Sequence, residues 1–183
     1  MSLKQSLNSI EALYRKLERE SYRAYHERDG IHKTDHFYNF CITAQALRDY
    51  FFERKGLTEL QQKKPYYELW KKNEFLVAVS EIANTAKHFT LRDIRTSKPK
   101  QAKTKKVRTN KSKFVDIYIN DKDEIITHMT EAPDCVVTLE NGSKYHLYMF
   151  TRKVLEYWYN FLKSESIPIR RQSLKRLVGK WTL

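Results

Sequence analysis

Four polar side chains recur along one predicted helix at spacings of three, four and four residues: Glu81, Asn84, His88 and Arg92. These spacings bring all four onto one edge of an α-helix whose other faces are apolar. A histidine in such a place could move a proton near neutral pH. The plainer interpretation is that the edge faces solvent, or that Asn84 and His88 bond to neighbouring backbone groups.

No other group of residues predicts catalysis or a cofactor. His32 and His36 flank Asp35 at a predicted helix start, where a cap with two surface imidazoles is a simpler interpretation than a metal site. No serine or cysteine nucleophile occupies a recognisable turn, and the four glycines stand singly, so the chain has no glycine-rich phosphate cradle. We therefore expect no metal, no cofactor and no nucleotide-dependent enzyme of a common type. Cys41 and Cys135 lack disulfide or zinc spacing, which predicts two buried thiols.

The net charge of +13 is concentrated in two segments. The first has nine basic residues and no acidic residue: Arg95, Lys98, Lys100, Lys103, Lys105, Lys106, Arg108, Lys111 and Lys113. The second covers residues 167–183, again without an acidic residue, and holds Arg170, Arg171, Lys175, Arg176 and Lys180. The rest of the chain has 21 basic and 22 acidic residues, so the body is nearly neutral.

Both basic segments are candidate binding surfaces for anions. Nucleic-acid phosphates, anionic lipid headgroups and acidic protein surfaces would all be attracted, and a merely solvated segment is the alternative. The 95–113 segment has no aromatic residue to insert into a membrane, and the chain has no run of eighteen apolar residues, so we expect no membrane association. Phosphate contacts would bind without sequence specificity. The N-terminus lacks the apolar core of a signal peptide, which predicts a soluble, cytoplasmic protein.

Apolar periodicity predicts five helices. The first covers residues 3–27 and stops at Gly30, and the second covers about 35–55 after a cap at Thr34 or Asp35. The third covers 58–72 from a capping box that begins at Thr58, and the fourth covers 74–91 after a cap at Asn73. The fifth covers 151–164. Strands are predicted at 114–119, 125–129, 136–139 and 144–150, with a break at Pro133-Asp134 and a hairpin turn at Asn141-Gly142, where both positions favour positive φ. Residues 95–113 are predicted to be a mobile basic loop, and residues 173–178 a short amphipathic helix.

The expected fold is mainly α: a bundle of about five helices with an antiparallel β-meander of three or four strands inserted before the last long helix. A single domain spans residues 1–166 and includes the 95–113 loop and the 114–150 meander. Residues 167–183 form a basic C-terminal tail. At 183 residues the chain is long enough to bury one sizeable core.

The string Ala83-Asn84-Thr85-Ala86-Lys87-His88 resembles the motif of HEPN domains, which are intracellular helical bundles carrying Arg, a polar residue that is often Asn, three variable residues and His. Asn84 and His88 match this motif, whereas Ala83 stands at the Arg position. The resemblance covers roughly residues 3–91 and the helix at 151–164, with the strands as an insertion. It implies a homodimer that brings two motifs together, and often metal-independent RNA cleavage by the Arg and the His.

The missing arginine favours a non-catalytic HEPN-like protein that binds RNA within a bacterial or phage-encoded defence, toxin–antitoxin or RNA-handling system. One alternative is a metal-independent ribonuclease in which His88 and Asn84 act with Lys87 or Arg92 as the substitute cation, because guanidinium and imidazole groups suit phosphate chemistry. A second alternative is an oligomeric adaptor whose basic segments bind an acidic protein partner.

Overall fold

The computed structural model describes residues 7–87, 104, 106–120, 122–170 and 177–182, with the backbone alone described at 86–87 and 177–182. Within these ranges the chain forms five helices and four strands. The helices are α1 (Ile10–His26), α2 (Gly30–Lys55), α3 (Leu60–Lys71), α4 (Glu74–Lys87) and α5 (Leu147–Ser164), and the strands are β1 (Lys106–Ile119), β2 (Ile125–Thr138), β3 (Lys144–His146) and β4 (Leu177–Thr182). The prediction of a mainly α bundle with a β insert before the last long helix is confirmed.

The junction between α1 and α2 differs from the prediction. The Asp29 side chain caps α2 by accepting hydrogen bonds from the backbone N–H groups of Ile31 at 2.8 Å and His32 at 3.0 Å. Gly30 is therefore the first residue of α2 rather than a stop, and the predicted caps at Thr34 and Asp35 are wrong. The end of α1 is instead capped by the buried Lys33 ammonium, which donates to the carbonyl oxygens of Ala24 and Tyr25, at 2.7 and 3.1 Å.

The next two helix starts were close to their predicted places. The capping box of α3 uses Glu59 and Gln62, so the predicted box beginning at Thr58 is one residue too early. Gln62 Oε1 accepts from both the Thr58 and the Glu59 backbone N–H groups, at 3.1 Å each. The predicted cap of α4 is confirmed, because Asn73 Oδ1 accepts from the Leu76 N–H at 3.0 Å.

An aromatic cluster joins α2, α3 and α5 in the core. The ring centroid of Phe51 lies 4.8 Å from Tyr66 and 5.0 Å from Phe161, and that of Trp70 lies 5.6 Å from Trp158. Phe51, Trp70 and Trp158 are fully buried. The first two pairs are edge-on and the third is tilted. Aromatic pairs contribute roughly 0.5–1.5 kcal/mol each beyond the area they bury, so these contacts hold the short helix α3 against α2 and α5.

The sheet has the order β3-β2-β1-β4 and is antiparallel throughout. β1 and β2 form a hairpin of fourteen paired residues each, from Lys106 opposite Thr138 to Ile119 opposite Ile125. The prediction of a loop over 95–113 is therefore wrong for residues 106–113, which are strand; residues 95–103 and 105 lie outside the described residues. The polar, basic sequence of residues 106–113 carries no apolar alternation that would predict a strand. These residues are ordered as a strand because they pair with β2.

Three further boundaries differ from the prediction. β2 continues through Pro133-Asp134. Pro133 lies opposite Lys111 of β1, but its nitrogen faces the outer edge of β2, where no strand among the described residues pairs with it, so the missing N–H is tolerated. β3 ends at His146, and residues 147–150 are the first turn of α5 rather than strand. Of the predicted helix over 173–178, residues 177 and 178 belong to β4, and 173–176 lie outside the described residues.

The hairpin turn before β3 is confirmed at Asn141-Gly142, with a different geometry. Only Gly142 has positive φ, at 86°, so the predicted positive φ of Asn141 is wrong. The Gly142 and Leu139 N–H groups bond to the Leu139 and Ser143 carbonyl oxygens respectively, at 3.0 Å each. This pattern fits a type I turn followed by a glycine bulge.

The β1–β2 hairpin changes the face that it presents to the helices. Near its base, odd-numbered residues face the bundle, as Thr109 does beside Thr34 at 3.0 Å between hydroxyl oxygens. Further along, the even-numbered Asp116 contacts Tyr25 of α1. The register has no bulge between these points, so the ribbon must twist strongly, as two-stranded ribbons do.

Candidate nucleic-acid interface

The polar edge of α4 divides into a buried carboxylate and a half-buried amide. Glu81 is 7% exposed, and its Oε2 accepts a hydrogen bond from the Thr104 backbone N–H at 2.7 Å. Asn84 Oδ1 accepts from Gln45 Nε2 of α2 at 3.3 Å. Glu81 thereby ties the chain just before β1 to the bundle, and Asn84 ties α4 to α2.

Ala83, which stands at the arginine position of the motif that the sequence resembles, lies in the core. Ala83 is fully buried on the face of α4 that packs against the other helices. An arginine side chain at this place would have to enter the closely packed interior, where an unpaired charge is very costly. The other candidate residues of this edge, His88 and Arg92, lie outside the described residues, and Lys87 is described by its backbone alone.

The basic half of β1 presents four exposed cationic side chains, Lys106, Arg108, Lys111 and Lys113, which we name the basic ribbon. None of the four makes an ion pair or a side-chain hydrogen bond within the ranges that the structure describes. Opposite them on β2 stand Thr138, Val136, Pro133 and Glu131 respectively, so only Lys113 faces an acidic residue across the strands. Same-face neighbours such as Lys111 and Lys113 are about 7 Å apart along the strand.

The C-terminal basic segment joins the sheet next to the first basic segment. β4 pairs with Phe114 to Tyr118 of β1, immediately beyond the basic ribbon, and Thr182 lies opposite Phe114. Arg170, in contrast, is exposed beyond the C-terminal end of α5, about 25 Å along that helix from β3. The other predicted phosphate-binding residues lie outside the described residues: Arg95, Lys98, Lys100, Lys103, Lys105, Arg171, Lys175 and Arg176.

A buried carboxylate anchors the hairpin to α1. Asp116 is 5% exposed; its Oδ1 accepts from the Tyr25 hydroxyl at 2.9 Å and its Oδ2 from the Thr130 hydroxyl at 3.2 Å. The pKa of Tyr25 is raised far above its usual range, mainly by burial and secondly by the nearby Asp116 carboxylate. The pKa of Tyr118 is raised by the same two causes in the same order. The Tyr25 hydroxyl therefore stays protonated and continues to donate its hydrogen bond to Asp116.

The buried carboxylate of Asp134 joins the sheet to α5, although no sequence pattern predicted this contact. Asp134 is 3% exposed, its Oδ2 contacts Nδ1 of His146, and its Oδ1 accepts from the Leu147 N–H at 3.3 Å. The carboxylate thus lies at the N-terminal end of α5, where the helix dipole favours negative charge. The only sequence signal was an acidic residue next to apolar strand residues. Because Pro133 precedes it, the pair Pro133-Asp134 was predicted to be a break between strands.

The histidines flanking Asp35 make separate contacts. His36 Nδ1 lies 3.4 Å from Glu20 Oε2, and His32 Nδ1 lies 4.0 Å from Asp29 Oδ1. Across the described ranges, no three His, Cys, Asp or Glu side chains cluster as metal ligands. In the same ranges, no helix combines the length and apolar composition needed to cross a bilayer.

Comparison of the chain with protein-family models, with curated proteins and with solved structures found no match. The geometry of the described residues is therefore the basis for the functional argument. The buried carboxylates of Asp116 and Asp134 and the buried Ala83 are structural. The basic ribbon is exposed, and among the described residues it faces no acidic side chain other than Glu131.

Proposed function

We propose that this chain is a HEPN-like protein that binds RNA through its phosphates and has no ribonuclease activity of its own. The observation that carries the proposal is the basic ribbon, in which four exposed cations lack intramolecular ion pairs among the described residues. An unneutralised group of exposed cations along one strand attracts a polyanion, and each phosphate contact gains free energy by releasing counterions.

The strand structure supports phosphate binding more strongly than a loop would. A loop must lose backbone entropy when it binds, whereas β1 is already paired with β2 along its whole length. The anchors at Asp116 and Asp134 fix the hairpin to α1 and α5. The basic ribbon is therefore preorganised, with its side chains alone left to order on binding.

Two features support a non-catalytic role within this proposal. Ala83 is buried where the family motif has its arginine, and Asn84 is engaged with Gln45. We propose RNA rather than DNA, and a role in a bacterial or phage defence, toxin–antitoxin or RNA-handling system, because of the motif resemblance. RNA cleavage in the presence of a chelator that disappears in His88→Ala would contradict the non-catalytic assignment.

The proposal is tested by changing all four ribbon residues to Gln and measuring RNA binding across salt concentrations by fluorescence anisotropy. Each contact with single-stranded RNA contributes about 0.7 to the slope of log K against log salt. Four contacts should therefore contribute a slope of about 2.8, or roughly 50-fold in affinity between 50 and 200 mM salt. We expect the variant to lose this salt-dependent contribution to its RNA affinity.

The matched control removes four exposed cations elsewhere by changing Lys64, Lys72, Arg152 and Lys153 to Gln, which lowers the net charge equally. If binding depends on net charge alone, the two variants will bind RNA equally weakly, and the basic ribbon is not the site. Unchanged RNA affinity of the ribbon variant would also contradict the proposal. Tighter binding to an acidic polypeptide than to RNA would favour the adaptor alternative instead.

A further inference from the structure

The outer edge of β2 is open along the distal half of the hairpin. Among the described residues, β3 pairs with β2 only at Val136 to Thr138, and no strand pairs with the edge of residues 125–133. The Asn120 N–H donates to the Glu124 carbonyl oxygen at 3.0 Å, which fixes the alternation of bonds along the hairpin. Even-numbered residues of β2 therefore bond to β1, while odd-numbered residues direct their N–H and C=O groups outward.

Residues 125–130 of the open edge carry none of the usual protection against pairing; Glu131 and Pro133 come only after them. Edge strands are normally shielded by lysine, proline, bulges or short length. Residues 125–131 contain no lysine and no proline, and their register with β1 has no bulge. Ile125 and Met129 are 73% and 71% exposed, and both project from the same strand face because they are four residues apart.

We propose that a second copy of this chain pairs with this edge, antiparallel and about a two-fold axis at Thr127. An antiparallel two-fold pairing places each outward-directed residue opposite another outward-directed residue. Centring on Thr127 places Ile125 of each copy opposite Met129 of the other, so the two most exposed apolar side chains of the edge cover each other. The pairing also stops short of Pro133, which has no N–H to donate.

Charge favours this surface for self-association over the rest of the molecule. Each copy carries +13, yet residues 125–130 include no Lys, Arg, Asp or Glu. Lys113, the nearest ribbon cation, lies opposite Glu131, four residues or about 13 Å from the axis. Antiparallel pairing sends the two basic ribbons in opposite directions, so they lie roughly 26 Å apart, beyond a Debye length of about 8–10 Å.

The first test measures mass against concentration by sedimentation equilibrium. The wild-type chain should move from 22.0 kDa toward twice that mass as concentration rises. Thr127→Pro removes an outward N–H, and Met129→Lys places a charge on the apolar pair; each should raise the dimer dissociation constant at least 10-fold. Ile31→Lys, at an equally exposed isoleucine on α2, should leave dimerisation unchanged.

The second test traps the register. Residues directly opposite each other in a hydrogen-bonded antiparallel pair have Cα atoms about 5.5 Å apart, which a disulfide can span. Thr127→Cys should form a covalent dimer under mild oxidation, while Ile31→Cys should not; Cys41 and Cys135 are buried and contribute little background. A wild-type monomer at all concentrations, or equal dimerisation of Met129→Lys and wild type, would overturn the proposal. RNA binding by the ribbon is measured separately, so either proposal can fail alone.

Discussion

Replacing Tyr25 by phenylalanine should weaken the anchor that holds the β1–β2 hairpin against α1. The change removes only the hydroxyl, which donates to Asp116 Oδ1 at 2.9 Å. The carboxylate is 5% exposed, so water cannot readily replace the lost donor. Hydrogen bonds to charged groups contribute about 1.5–3 kcal/mol, and we expect the free energy of unfolding to fall by that amount.

The assay is urea and thermal unfolding monitored by circular dichroism. For a domain of this size each kcal/mol lowers the midpoint temperature by about 2–4 °C, so Tyr25→Phe should lower it by about 3–12 °C. The matched control is Tyr22→Phe, three residues earlier on α1, where the side chain is 47% exposed; its stability should be nearly unchanged. Equal stability of Tyr25→Phe and wild type would refute the assignment of Asp116 as an anchor.

The pH dependence of stability provides an independent check of the same contact. An unfolded tyrosine ionises near pH 10, and burial followed by Asp116 raises the pKa of folded Tyr25 above that value. Because the folded pKa is the higher one, this contribution is complete below about pH 10 and is lost as the pH rises further. Wild type should therefore lose more stability than Tyr25→Phe above pH 10, and parallel curves would contradict this reasoning.

Two further substitutions test the buried positions. Ala83→Arg supplies the arginine of the HEPN motif that the sequence resembles but places a charge in the core, so we expect a loss of about 3 kcal/mol or more in urea unfolding; a stable variant that cleaves RNA would contradict the structural role of Ala83. Asp134→Ala should cost about 2–4 kcal/mol, because it removes a charged hydrogen bond and a helix N-terminal contact. His146→Ala should cost less, since the Asp134 bond to Leu147 remains; equal losses would show that the contact with α5 contributes little.

The sequence predicted those elements whose signals are local. The cap at Asn73 and the glycine of the Asn141-Gly142 turn were found because such residues bond or bend the chain within three or four positions. Helices α1, α2, α4 and α5 were predicted because each buries several apolar residues of its own. Helix α3 buries only Trp70 and was predicted mainly from its capping-box spacing. The exact starts of α2 and α3 were missed because several polar residues nearby could serve as caps, and packing decides among them.

Residues 106–113 have a loop-like sequence and form a strand because β2 pairs with every one of them. Asp116 and Asp134 were not predicted as anchors because their donors, Tyr25 and His146, come from other elements and meet them through the fold. The amino-acid sequence by itself determined the mainly α composition, the excess of positive charge and the residues of the basic segments. Only the tertiary structure decided that part of that charge stands on a fixed ribbon, because hydrogen bonding between distant strands depends on partners that no local pattern identifies.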